Sequence, residues 1–509
     1  MRKYFVILVI VSAHFIASGQ DQIVSSLETS SIRVINPLFR TDTLIGYYMY
    51  SQLDESNKSD FNYNIIVYDL ELSPIVTLNF SHDWRLKLTQ LVFNGTAYCA
   101  VTTIIPGKQG GYGFNNPPNN LFFFKEGGEL IKATHVPASG KNCIWPIFNK
   151  GFFIGDCVKK VGGIYSHEYE YYFERFDNKG EVIFTYNSNK QKLVKVLGEY
   201  CFLMSEENDK STKKQICHFS MVDGKAGKIL FEYDGLSTPS RYFFPIEISE
   251  NPLKKDEFLL LSSEHDYYKF GKYFPIDLDN IIEFTVFNFD LNGKFEEVIA
   301  LPNDFNIGLS KDSVKFGKNY VKMESLMVNK FYYHNMKYHL ISHVYRKKNS
   351  CELFDFSLDT NFVIQKEYTS TEAQPVNDGS FPTLFGYRYI KDKSIEDGTL
   401  IYEPSNTDKL TSFRGMYFCG NSINSLSFII DESDDSKNSL IQYGTEKKYK
   451  NVSIESIFLT DGKPHFAKMK FNFNSDYYQL MPAKPGYICV FEYFEKEKKI
   501  DFRLEKFDF

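Results

Sequence analysis

Phe284–Leu301, FTVFNFDLNGKFEEVIAL, reads as two β-strands joined at Asn292-Gly293. Asn-Gly between two runs rich in aromatic and branched residues is a hairpin signal, because both turn residues tolerate positive φ. Phe284 and Val286 fall on one face of the first strand, and Phe287 and Phe289 on the other. A sheet with one wet face would alternate apolar with polar residues, so this strand is expected to be covered on both sides.

The unit recurs along the chain. Tyr171–Tyr186 (YYFERFDNKGEVIFTY) turns at Asn178 to Gly180, Ile216–Tyr233 at Asp223-Gly224, and Cys351–Tyr368 at Asp359 to Asn361. Leu91–Ile105 splits at Asn94-Gly95, and Leu121–Val136 at Gly127-Gly128. Ser439–Ile454 is a weaker copy, while Tyr487–Phe509 supplies two strands without a closing one. Between these copies lie further strands, as at Phe152–Val158, Leu193–Met204, Phe258–Ser262 and Lys330–Val344. Each period holds about four strands in roughly 45–90 residues, the size of a propeller blade with insertions.

Burial on both faces requires that each sheet have neighbours on both sides, which a radial stack provides. The expected fold is therefore all-β: a β-propeller of about eight four-stranded blades, the last completed by the N-terminal strand. A short strand candidate lies at Ile23–Leu27. The alternatives are an outer-membrane β-barrel and tandem β-sandwiches. Runs such as Phe258–Leu261 (FLLL) and Tyr487–Phe491 (YICVF) oppose the barrel, whose strands alternate lipid-facing with lumen-facing residues.

Composition agrees. The 509 residues are 43% apolar and 24% charged, with 48 Phe and 35 Tyr, which suits pleated, half-buried surfaces. The net charge is −6 from 58 basic and 64 acidic residues, with no long run of either sign. Nucleic-acid binding needs a basic face that displaces counterions, so no nucleic acid is expected as a partner.

At the N-terminus, Arg2 and Lys3 precede the apolar run Phe5–Ile16 and the small-residue site Ala17-Ser18-Gly19. Residues 1–19 are expected to be a signal peptide and residues 20–509 a single propeller domain. The run is too short to span a bilayer, which needs about 20 apolar residues, so no membrane span is expected after cleavage. Export to the periplasm or the medium follows. Eight cysteines would then invite disulfides, yet Cys99, Cys201, Cys419 and Cys489 each follow an aromatic residue or Ile inside an apolar run. Mostly unbridged, buried thiols are expected; Cys143 with Cys157, or Cys201 with Cys217, are the candidate bridges.

Catalytic motifs are missing. The chain has no G-x-S-x-G, C-x-x-C, H-E-x-x-H or full EF-hand loop. Neither a cofactor nor a metal is expected, and no catalytic residue is assigned. Pro106–Pro118 (PGKQGGYGFNNPP) is glycine-rich but has no following helix to cradle a phosphate. His339 and His343 would share a strand face with Ile341 between them, too far apart to chelate without a bulge. Acidic stretches at Asp54–Ser59, Glu206–Ser211 and Asp431–Ser436 are placed between second and third strands as solvated turns. Asn57, Asn79, Asn94 and Asn451 begin glycosylation sequons.

In a propeller the connections from second to third strands gather on one face, around the mouth of the channel. That face would carry Tyr112, Phe114, Tyr165 and His167, and the insertion Ser263–Asn280 with His265, Asp266, Tyr267, Tyr268, Tyr273 and Asp277. Aromatic rings among scattered polar groups suit stacking on a sugar or gripping a peptide, so the expected partner is a protein or a glycan. The competing function is a hydrolase acting on glycans, with Asp83, Asp266 and Asp277 as candidate carboxylates.

The region LIGYYMYSQLDESNKSDFNYNIIVYDLELSPI, with its GYY-x-x-Y strand and charged turn, resembles a family of exported, functionally uncharacterised proteins of Bacteroidota. The resemblance implies export and a propeller-like repeat domain, and it carries no catalytic residues.

Overall fold

The computed structural model describes residues 32–40, 43–53, 61–105, 119–136, 144–161, 168–189, 191–209, 214–234, 241–266, 281–302, 325–334, 336–346, 350–362, 364–369, 374–375, 412–422, 425–433, 451–460, 463–472, 475, 477–484, 487–494, 496–497 and 499–506, some by backbone alone. The described elements are all strands, in eight sheets that follow one another along the chain.

The first blade is β1 (Ile32–Arg40), β2 (Thr43–Gln52), β3 (Phe61–Tyr68) and β4 (Pro74–His82). The second is β5 (Leu86–Phe93), β6 (Ala97–Ile104), β7 (Asn119–Lys125) and β8 (Leu130–Val136). The third is β9 (Ile144–Ile147), β10 (Gly151–Val161), β11 (Glu168–Phe176) and β12 (Val182–Asn189). The fourth is β13 (Lys192–Leu197), β14 (Tyr200–Asp209), β15 (Lys214–Asp223) and β16 (Lys228–Asp234). The fifth is β17 (Arg241–Glu250), β18 (Glu257–Asp266), β19 (Ile281–Asp290) and β20 (Phe295–Pro302). The sixth is β21 (Ser325–His334), β22 (Lys337–Arg346), β23 (Ser350–Leu358) and β24 (Ile364–Thr369), with β25 (Gln374–Pro375) on β23. The seventh is β26 (Ser412–Ser422), β27 (Ser425–Ser433), β28 (Asn451–Thr460) and β29 (Lys463–Asn472). The eighth has three described strands, β30 (Tyr477–Pro482), β31 (Tyr487–Phe494) and β32 (Lys499–Lys506).

Within each blade neighbouring strands pair antiparallel in chain order. The first strands form the inner ring: β1 adjoins β5, β5 adjoins β9, β13 adjoins β17, β17 adjoins β21, β26 adjoins β30, and β30 returns to β1. This is a β-propeller, and among the described strands no sheet closes on itself as a barrel would. The opening hairpin is its fifth-blade outer pair, β19 and β20.

The core lies between blades. Tyr50, Tyr63 and Phe80 of the first blade meet Phe122 and Phe124 of the second. Cys99 and Phe123 meet Ile144, Phe152 and Phe176 of the third. Phe153 and Phe173 meet Leu193, Cys201 and Val222 of the fourth. Phe202, Phe219 and Phe231 meet Phe258 and Phe289 of the fifth. Each such fully buried ring contributes about 2–3 kcal/mol relative to exposure.

The ring closes by the same kind of packing. Met481, Cys489, Phe491 and Phe502 of the eighth blade meet Ile35, Tyr47 and Tyr68 of the first. Phe502 stands edge-on to Tyr47 and Tyr68, with centroids 5.6 and 5.5 Å away. The first described strand, β1, pairs with β2, and the closing candidate Ile23–Leu27 lies outside the described residues.

Several sequence expectations need correction. Glu206–Asp209 belongs to β14, where Asp209 faces Lys214 in register, and Asp431–Ser433 belongs to β27. These described parts extend hairpins, because their opposite strands continue alongside them, while Asp54–Ser59, Lys210, Ser211 and Asp434–Ser436 lie outside the described residues. Cys201 pairs in register with Val222, and Cys217 with Glu206, so the two cysteines are not cross-strand neighbours and do not bridge. Cys99, Cys201 and Cys489 are buried thiols outside any disulfide. Cys143 lies outside the described residues.

Candidate functional site

The two faces of the ring are built differently. Turns from first to second and from third to fourth strands leave by one face, and these are short. Their geometry comes from side chains that mimic a backbone acceptor. Asp69 Oδ1 accepts from the Glu71 and Ser73 N–H groups, Asp177 Oδ1 from Lys179 and Glu181, and Asp290 Oδ1 from Asn292 and Lys294. The Lys294 N–H, with the Asn292 N–H, outweighs the opposing effect of slight burial and holds the Asp290 carboxyl below its ordinary range.

The same turns staple neighbouring blades. Asn94 Nδ2 donates to Gly151 O at 3.1 Å and to Asn178 Oδ1 at 2.7 Å. Buried Arg175 donates to Gly224 O at 2.7 Å, reaches Glu199 at 3.4 Å, and lies over the Phe153 ring. Burial raises the Glu199 pKa, but hydrogen bonds from Lys225 and Lys150 outweigh it and leave the carboxyl low. Asn251 joins Asn288 to the hydroxyl of Tyr338 between the fifth and sixth blades, and Lys484 pairs with Glu71 across the closing seam. The polar groups of this face are largely committed to holding the ring.

The opposite face carries the connections from second to third strands and from each blade to the next. They include 105–118, 162–167, 267–280 and 303–324. Of the expected site residues, Tyr112, Phe114, Tyr165, His167, Tyr267, Tyr268, Tyr273 and Asp277 lie outside the described residues. His265 and Asp266 end β18, where they pair in register with Tyr242 and Arg241 of β17.

A group of which the sequence reading singles out only Asp83, as a candidate carboxylate, occupies this face between the first and second blades. It is the run His82-Asp83-Trp84-Arg85, which links β4 to β5. Two buried tyrosines hold it. Tyr63 OH donates to Trp84 O at 3.1 Å and accepts from Leu86 N at 2.8 Å, while Tyr50 OH donates to Leu86 O at 2.9 Å. The Tyr50 and Tyr63 rings stack at 5.6 Å and continue onto Phe80, so the hydroxyls cannot drift.

His82 Nδ1 accepts from Trp84 N at 3.0 Å, and Asp83 Oδ1 lies 3.0 Å from the same nitrogen. That nitrogen accepts from Trp84 when its lone pair is free, and donates to Asp83 only when protonated. Arg85 lies over the Phe61 ring at 5.4 Å, and its carbonyl accepts from Ile105 N at 2.8 Å. The last bond ties the start of connection 105–118 to this corner. Trp84 is 49% exposed, and Ile105, bonded to the neighbouring Arg85, is exposed as well. Trp84 is one of two tryptophans in the chain, but the sequence alone does not mark it as exposed.

The remaining candidates resolve as structure. His339 is fully buried on β22, opposite Ser357. Among the described residues, no group of His, Cys, Asp and Glu is disposed to hold a metal. Asn94 is buried and bonded, which leaves its sequon inaccessible in the fold.

The fold defines the class as a β-propeller. More particularly, residues 424–508 match a family of unknown function (DUF6770). Among curated proteins none matches the chain. Solved structures with related folds include the β-propeller domain of the Trilobed protease from Pyrococcus furiosus, at 8% identity and a TM-score of 0.36, covering 86% of this chain and 96% of that one. The WD40 domain of SCAP from fission yeast aligns at 10% identity and a TM-score of 0.36, covering 96% and 99%. Pyrococcus horikoshii acylaminoacyl peptidase aligns at 11% identity and a TM-score of 0.38, with 93% of this chain matched to 57% of that one. The fold assignment rests on the sheet order and the inter-blade packing.

Proposed function

We propose that the protein is an exported binding module whose ligand, a protein or a glycan, docks on the face bearing the long connections. One observation carries this reading: the two faces differ in what their side chains are doing. On the short-turn face Asn94, Arg175, Glu199 and Asn251 are engaged in stapling blades. On the opposite face the backbone around Trp84 is clamped while its indole is left exposed. A rigid scaffold that presents loops from one side is the usual arrangement for recognition.

Two measurements test the reading. The full chain and a variant in which residues 267–280 are replaced by a tight turn are applied to a glycan array and to immobilised peptides. Binding that weakens in the variant, and persists when Lys254 and Lys255 on the other face are reversed in charge, supports the proposal. The opposite pattern overturns the choice of face. Export is tested by fractionating cells that produce the chain with and without residues 1–19, and retention of both forms in the cytoplasm would refute it.

A further inference from the structure

We propose that the Asp83-Trp84 corner is a subsite for a neutral sugar ring, the indole taking the apolar face of a pyranose and the Asp83 carboxylate accepting from its hydroxyls. This rests on the reading of the loop face as the binding face and names the chemistry it would recognise.

Three features lead there. Trp84 is exposed on a backbone held from both sides by Tyr63, Tyr50 and His82, so little backbone freedom remains to be lost on binding. An exposed indole carried on so firm a backbone suits a ring with an apolar face. The Asp83 side chain, 68% exposed, puts a strong acceptor beside it. Charge then selects among ligands. Arg85, next in the chain and with its guanidinium over the Phe61 ring, balances the Asp83 charge along this short connection. A polar ring without net charge fits a corner so balanced.

His82 acts as a positioning residue, because its Nδ1 sets the turn that presents the indole. Asn in its place offers an acceptor to the same i+2 N–H group, as Asn94 does for Thr96 and Asn251 for Leu253.

The test follows tryptophan emission in the unaltered chain and the heat of binding, by titration calorimetry, in every variant, since Trp84→Ala removes the reporter. The other tryptophan, Trp145, sits partly buried in the seam between the third and fourth blades. The full chain is titrated with cello-, chito-, malto- and xylo-oligosaccharides, with choline and a glucuronic-acid oligomer as charged probes. The expected result is a saturable change in emission with at least one neutral oligosaccharide. Trp84→Ala should weaken binding at least tenfold at unchanged thermal midpoint, and Asp83→Asn several-fold. His82→Ala should weaken it and His82→Asn restore it. No response to any neutral oligosaccharide, a stronger response to choline or to the acidic oligomer, or glycan binding indifferent to Trp84→Ala would each overturn the subsite. In the last case, loss of binding on replacing residues 267–280 would keep the loop-face reading while the subsite falls. Indifference to both changes would sink both.

Discussion

Asn94 Nδ2 donates to Asn178 Oδ1 at 2.7 Å, joining positions 84 residues apart in the chain. Asn94 closes the inner turn of the second blade, and Asn178 sits in the outer turn of the third. The same Asn94 amide reaches Gly151 O, while its carbonyl accepts from the Thr96 and Ala97 N–H groups. One buried side chain therefore sets a turn and fastens a seam. Asn94→Ala leaves several buried polar groups without partners, and each such loss costs about 1–3 kcal/mol. A fall in the urea midpoint with unchanged slope is expected. Asn178→Ala, at a more exposed site, should cost less.

Gly180 shows how a turn signal doubles as a packing requirement. Its φ is +78°, and an added Cβ would stand 2.4 Å from Cδ2 of Phe123 in the preceding blade. Gly293 approaches Phe231 of the fourth blade in the same way. Gly180→Ala is therefore expected to cost about 2–3 kcal/mol, from backbone strain together with overpacking. Gly127, where a Cβ would meet nothing within 4 Å, is the control; Gly127→Ala should stay within about 0.5 kcal/mol. Equal losses at the two sites would mean that only local turn preference matters.

These turns explain what could be read in advance. The outer pairs announce themselves, because Asp290, Asn292 and Gly293 mark a turn chemically and both strand faces are apolar. The inner strands β1, β9 and β17 hide. Each contains a proline (Pro37, Pro146, Pro245), which reads as a break, yet an inner strand has a partner on one side only and tolerates the lost donor. Register shifts between first and second strands, as at Leu38/Phe39, Leu88/Gln90, Leu193/Lys195 and Pro245/Glu247, also disrupt the period-two pattern. Trp84 stayed illegible for a different reason. Its setting depends on Tyr50, Tyr63 and Ile105, which only the assembled first and second blades bring together.

Phe502 locks the closing seam against Tyr47 and Tyr68. Phe502→Ala is expected to cost about 3–5 kcal/mol through lost burial and a cavity. The loss should be local at first. Hydrogen exchange should accelerate in the first and eighth blades while β14 and β15 of the fourth keep their protection. Uniform acceleration around the ring would show that the seams open together.

Burial lifts the thiols of Cys99 and Cys201 well above the ordinary range, and both sit fully inside inter-blade clusters. The thiolate is the reactive form, so neither cysteine should be alkylated by iodoacetamide in the folded protein. Their modification should follow the urea unfolding curve. Fast labelling of either in buffer would mean that its seam opens far more readily than the packing implies.

Alkaline pH acts on the seams through their phenols. Burial lifts Tyr68, Tyr98 and Tyr338 from an ordinary 10.0 to about 12, aided by Glu126 at Tyr98 and by Tyr333 and Glu257 at Tyr338. The folded state holds these protons more tightly than the unfolded chain does. Their contribution to stability is therefore complete below pH 10 and drains away as the pH rises from there towards about 12. The urea midpoint should hold steady up to the lower limit and then fall. Phenolate absorbance should rise in two steps, exposed tyrosines first, and the second step should coincide with loss of the β-sheet circular dichroism. Tyr98→Phe removes one of the three groups and should make the decline shallower; an unchanged slope would show that these phenols do not govern alkaline unfolding.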